Sequence, residues 1–337
     1  MLNAFISGVA GGRIGEDERR FLRDARPAGL ILFARNCRDG GQIRTLIADF
    51  KSAVGEDGLL VLIDQEGDRV QRLKPPLVHA LPAAAAFAAL HAEAPDAACR
   101  AALLVSQLLA GELAALGINT NCAPVLDVNC PGAHAVIGDR AYGSEPGPVV
   151  ALGRAVAEGL LAGGVLPVIK HMPGHGRANA DSHLDLPVVT AGLAELAASD
   201  FATFRALGDL PAAMTAHVVF TAIDAHAPAS TSATMTRQII RGTIGFDGLL
   251  MSDDLSMGAL AGSLRARAEA VIGAGSDLAL HCNGRLEEMR EVAAGVPALS
   301  GQALQRFERA RAAGGRTQAC DVAEAQAALV AVLAKVA

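Results

Sequence analysis

GLLMSDD, residues 248–254, is a short apolar run that ends abruptly in two carboxylates. Continuous apolar character, without polar alternation, predicts a strand buried on both faces, as in a parallel sheet covered by helices. Working outward, SATMTRQIIRGTIG (232–245) before it and SLRARAEAVIGAG (263–275) after it place apolar residues at helical spacing. The same strand-then-helix unit recurs along the chain. Seven further apolar runs read as strands: AFISG (4–8), GLILFA (29–34), LLVLIDQ (59–65), INTNCAPV (118–125), VLPVIKH (165–171), PAAMTAH (211–217) and SDLALHC (276–282). Helical patterns lie between them at 16–25, 41–54, 96–117, 148–164 and 192–208. Eight such units predict an α/β fold, a closed (β/α)8 TIM-type barrel forming a single domain over 1–337. The apolar tail DVAEAQAALVAVLAKVA (321–337) is expected to be a terminal helix packed outside the barrel.

The totals narrow the function. Net charge is −6 and no Lys/Arg block occurs, which argues against a nucleic-acid partner. No apolar stretch reaches the ~18–20 residues needed to span a bilayer. The opening MLNAFISGVAGG lacks the basic start of a signal peptide, so a cytoplasmic protein is expected. Six cysteines without a CxxC pair suit a reducing compartment better than a disulfide framework. With no Trp and one Tyr (Tyr142), the chain has little to offer a long polysaccharide that needs aromatic platforms.

Polar residues gather where the runs end: Asp64, Lys170–His171, His217, Asp253–Asp254 and His281–Cys282–Asn283. Parallel barrels build their sites at those strand ends. DQEGDRVQRL (64–73) reads either as a polar loop whose arginines pair with Asp64, Glu66 or Asp68, or as a carboxylate fixed to accept sugar hydroxyls. IGDRAYGSEP (137–146), with Asp139 and Arg140, reads alone as a surface turn.

IKHMPGHGRANADSHLDLP (169–187) concentrates His171, His175 and His183. A metal site would need the first two on one helical face, but Pro173, Gly174 and Gly176 forbid a regular helix there. The glycines fit a backbone folded closely around a ligand. Asp181 and His183, two apart in an extended loop, would point the same way and form an acid/base able to exchange a proton near neutral pH. In SDDLSM, Asp254 is expected to cap a helix starting near Leu255–Ser256, which leaves Asp253 facing the barrel axis.

Taken in order over residues ~29–260, GLILFARN, DQEG, RVQR, NCAPVLDVN, GDRAYGS, KHMPGHGRANADSH, MTAH and SDDLSM resemble the β-N-acetylglucosaminidases of glycoside hydrolase family 3, the short single-domain bacterial type of peptidoglycan recycling. The resemblance implies a retaining mechanism without metal or other cofactor. Asp253 would be the nucleophile, and His183, held by Asp181, the acid/base in place of the usual second carboxylate. It also implies that Asp64, Arg72, Arg140, Lys170 and His171 bind the terminal sugar, with His217 lining the same pocket. The loop bearing His183 is expected to be mobile. The implied substrates are small muropeptides carrying GlcNAc on 1,6-anhydro-N-acetylmuramic acid, taken by a monomer. Asp68 stands where that family usually has a second glycine, which predicts added charge or a strained backbone. Met172 replaces the usual Phe. Three rivals stay open: phosphate as acceptor, a metal-dependent hydrolase using His171, His175 and His183, and a catalytically silent sugar-binding barrel.

Overall fold

The computed structural model describes residues 1–335. Its main sheet has nine segments: β1 Asn3–Ser7, β2 Pro27–Leu32, β3 Leu60–Ile63, β4 Thr120–Asn121, β5 Leu166–Pro167, β6 Ile169–Met172, β7 Ala212–Thr215, β8 Leu249–Asp254 and β9 Leu278–His281. All pairings are parallel, in the order β5-β4-β3-β2-β1-β9-β8-β7-β6. The two ends of that order are consecutive pieces of one run, parted only by Val168. The sheet therefore closes on itself as a TIM-type barrel of eight strands, the fifth of them in two pieces. Each of the eight predicted runs supplies one.

Strand period explains why the runs are apolar throughout. In β3, Leu60 and Leu62 join Ile6, Leu166, Val168, Met214, Met251 and Leu280 inside the barrel, while Val61 and Ile63 face the helical layer. Both faces are dry, so neither can be polar. Helix Gly301–Ala313, which the apolar pattern does not announce, runs beneath the barrel. Its Phe307 and Ala310 join the interior cluster, and its Arg306 pairs with Asp247 and Asp277 at the N-terminal ends of β8 and β9.

Several helices depart from expectation. The helix predicted over 192–208 breaks at Ser199 into Leu193–Ala198 and Asp200–Ala206. Asp200 there accepts from Arg177 at 2.7 Å, so a tertiary contact interrupts an otherwise continuous helical pattern. The segment Met235–Thr243 is wound with wide π-type turns. Helices Ala84–Glu93 and Leu286–Ala294 have no counterpart among the predicted ones. Helix Pro95–Ala115 is long and apolar enough to cross a bilayer, against the expectation above, yet it packs against helices Pro146–Ala162 and Val322–Leu333. Val322–Leu333, capped by Asp321, is the tail helix, on the outer surface; residues 336–337 of the predicted span lie outside the described residues.

Candidate active site

At the C-terminal mouth of the barrel, a chain of ion pairs forms one wall. Lys170 Nζ, on β6, reaches Asp64 Oδ1 at 2.9 Å and Glu66 Oε1 at 2.5 Å. Arg72 donates to Asp64 Oδ2 at 3.1 Å, and Arg140 grips Glu66 with two bonds of 2.7 and 2.8 Å. Burial alone would raise both carboxyl pKa values, but Lys170 with Arg72 or Arg140 outweighs it. Asp64 is held well below the usual range and Glu66 is lowered to about 2. Burial likewise opposes the charges of Lys170 and Arg140, and the facing carboxylates raise both pKa values. Three cations against two anions leave the wall net positive, with carboxylate lone pairs still free to accept hydroxyls. In the sequence Glu66 reads only as a pairing partner. Its position two residues from Asp64, on the same side of an extended segment, is the signal that could have found it.

Arg69 departs from both sequence readings. It pairs with Asp139 at 2.7 Å and donates to the carbonyls of Ala135, Val136 and Ile137, so it holds the 135–140 loop rather than Asp64. Asp68 has φ = +44°, and the strained turn expected there is present.

Across the pocket from this wall, Asp253 is the penultimate residue of β8. Burial opposes its ionisation; the imidazoles of His217 and His171, the Asp254 N–H at 2.8 Å and Lys170 overcome it, so its pKa is lowered. Asp254 points away. It accepts from Ser256 N and Cys282 N at 3.1 Å each and from the Ser256 hydroxyl. No helix starts at 255, contrary to expectation: Asp254 organises a non-helical turn. His217 is wholly buried behind the site instead of lining it, bonded to Ser230 Oγ at 2.7 Å and to the Asp254 carbonyl at 3.1 Å. Burial lowers its pKa.

The histidine-rich loop has no helix. Asp127, buried in NCAPVLDVN and not singled out from sequence, accepts from His171 Nδ1 at 2.7 Å and from the backbone N–H groups of His171 and His175. This leaves His171 Nε2 free to face the pocket. His175 is lowered to about 4 by burial and by His171, and its Nε2 meets Ser182 Oγ at 3.0 Å. The rings of His171 and His175 are thus tied to separate partners, Asp127 and Ser182. Among the described residues, no group of three or more His, Cys, Asp and Glu is placed to hold a metal ion.

Asp181 Oδ1 accepts from His183 Nδ1 at 2.8 Å and from His183 N at 2.9 Å. The pair forms within a turn, where the Asp181 carbonyl accepts from Leu184 and Asp185, and not in an extended segment as expected. Burial would raise the Asp181 pKa, but these bonds and the imidazoles of His183 and His134 lower it. His183 is 64% exposed, so solvent and a ligand can both reach it. One cavity of about 350 Å³ is lined by Asp64, Arg72, Arg140, Lys170, His171, Asp181, His183 and Asp253, together with Glu66 and Met257. All eight predicted site residues therefore meet in one place.

The model of the glycosyl hydrolase family 3 N-terminal domain matches residues 4–311. A "Beta-hexosaminidase" of Bordetella avium is 41% identical over 279 residues, 82% of this chain and 79% of that protein. Among solved structures, NagZ from Neisseria gonorrhoeae in complex with N-trifluoroacetyl-D-glucosamine superposes with a TM-score of 0.87 at 35% identity, over 99% of this chain and 98% of that one. A family 3 β-N-acetylglucosaminidase from Paenibacillus sp. str. FPU-7 gives a TM-score of 0.85 at 30% identity, over 98% of this chain and 67% of that one. With the family's domain spanning nearly all of its barrel, and with relatives of one activity covering most of its length, the chain belongs to glycosyl hydrolase family 3 and is an enzyme of the β-hexosaminidase kind.

Proposed function

We propose that the protein is a retaining exo-β-N-acetylglucosaminidase that releases non-reducing terminal GlcNAc from peptidoglycan fragments, GlcNAc–1,6-anhydro-N-acetylmuramic acid muropeptides. The reading is carried by one observation: a half-buried Asp253, its pKa lowered by the surrounding imidazoles and Lys170, shares a pocket with an exposed His183 that Asp181 orients. Asp253 attacks the anomeric carbon while His183, as imidazolium, gives its proton to the departing glycosidic oxygen. The glycosidic bond breaks as the glycosyl-Asp253 ester forms. Neutral His183 then takes a proton from water, whose oxygen attacks the same carbon and restores the Asp253 carboxylate. Two inversions give net retention. Asp64, Arg72, Arg140, Lys170 and His171 hold the hydroxyls and acetamido group.

A pocket of about 350 Å³ at the barrel mouth, in a chain without Trp, favours a single terminal sugar. The Neisseria gonorrhoeae NagZ was solved with an N-acylated glucosamine, which supports an N-acetylated sugar as the ligand here. Six unpaired cysteines fit action in the cytoplasm, and we take the working form to be a monomer whose partner is a small glycan, without nucleic acid or membrane.

The test is release of nitrophenol from 4-nitrophenyl β-N-acetylglucosaminide by wild type, Asp253→Ala, Asp254→Ala and His183→Ala, with EDTA and with phosphate. Expected are turnover in EDTA, free GlcNAc as product in phosphate, and loss of at least ~10³-fold in Asp253→Ala. Abolition by EDTA would restore the metal reading, and GlcNAc-1-phosphate as product would make phosphate the acceptor.

A further inference from the structure

We propose that the backbone N–H groups of Gly258 and Ala259 form the ledge that sets His183 opposite Asp253, making Gly258 a positioning residue for proton transfer; this rests on the reading of His183 as acid/base. The side chain of His183 has one partner, Asp181, two residues away on the same loop. That pair orients the imidazole but cannot fix the loop relative to β8. The link across the pocket is made by main chain. Gly258 N donates to the His183 carbonyl at 3.2 Å, and Ala259 N donates to the Ser182 carbonyl at 3.2 Å. Ser182 is itself buried, with its hydroxyl on His175.

The ledge grows directly from the strand that carries Asp253. Asp254 holds the turn through its carboxylate on Ser256 and Cys282 N, and its carbonyl accepts from Met257 N at 3.2 Å. One rigid piece thus bears the attacking carboxylate at one end and the seat of the acid/base loop at the other. Glycine is required at the seat. A Cβ at position 258 would lie 2.9 Å from the carbonyl oxygens of both His183 and Leu184, and 3.1 Å from the Leu184 carbonyl carbon. These are backbone atoms, which cannot rotate aside as a side chain would, so the loop itself must move. General acid catalysis tolerates little displacement between donor and leaving oxygen.

The experiment compares kcat/KM on 2,4-dinitrophenyl and phenyl β-N-acetylglucosaminides for wild type, His183→Ala, Gly258→Ala and Ala259→Pro, with thermal unfolding of each. kcat/KM reports the steps up to aglycone departure. Dinitrophenolate leaves without a proton, whereas phenolate needs one. Gly258→Ala is expected to unfold near the wild-type temperature and keep most of its dinitrophenyl activity. It should lose on the order of 100-fold on the phenyl substrate, in the same direction as His183→Ala. Ala259→Pro, which removes the second N–H, should show the same selectivity. If His183→Ala is selective while both ledge variants lower the two substrates equally or not at all, the ledge is refuted. If His183→Ala itself shows no selectivity, the acid/base assignment has failed and the ledge proposal falls with it.

Discussion

Asp68 sits at φ = +44°, a conformation that costs an L-residue about 1 kcal/mol relative to glycine, somewhat less for Asp. Its side chain is outside the cavity. Asp68→Gly is therefore expected to raise Tm by roughly 2 °C with kcat/KM unchanged. Scanning calorimetry decides it: a lower Tm would mean that the carboxylate contributes more than the turn loses. The residue scale is also where the sequence is most unevenly legible. Asp64, Lys170 and Asp253 stand out because charge at the end of a buried strand demands a reason. Asp127 does not, because a carboxylate in a loop looks ordinary until the fold encloses it against His171 and His175.

At the scale of the element, the turn after β8 gives two neighbouring aspartates different partners. Asp254 accepts two backbone N–H bonds and one hydroxyl, and charge-assisted bonds contribute about 1.5–3 kcal/mol each, not additively. Asp253, half-buried and with a lowered pKa, accepts only the Asp254 N–H, and on the proposed mechanism it serves the reaction and not the fold. Asp254→Ala should accordingly destabilise by about 2 kcal/mol or more while keeping measurable turnover. Asp253→Ala should be inactive with stability equal to or above wild type. Urea unfolding beside an activity assay checks both, and the reverse pattern would exchange their roles. Elements are legible in the sequence wherever period decides them, as in all eight strands. They are not where contacts override local preference, as at Ser199, where Asp200 turns to meet Arg177.

For the whole molecule, the buried histidines set the response to acid. His175, His217 and His281 all have pKa values lowered by burial, His175 to about 4. A folded-state value below the unfolded one means that the unfolded chain takes up protons first. Their contribution is complete above pH ~6.5 and is lost as pH falls towards the folded values, by at most about 1.4 kcal/mol per unit for each histidine. The Glu66 network adds its own loss only below pH ~4.5, since that carboxylate titrates between its unfolded value and about 2. Urea midpoints should therefore fall between pH 6.5 and 4.5, and His175→Gln should flatten that slope. Equal slopes in both proteins would show that His175 is not buried as a neutral ring.

The sequence by itself determined the barrel and the residues that carry charge at its mouth. Apolar period is a local property, and a strand buried on both faces can be written only one way. It also determined the family, because ordered motifs such as SDDLSM survive as strings. Only the tertiary structure decided who pairs with whom: Glu66 with Arg140, Arg69 with three carbonyls, Asp254 with the turn and His217 behind the site instead of in it. Those outcomes depend on distances between residues up to 74 apart in the chain, and no local pattern encodes a distance across a closed sheet.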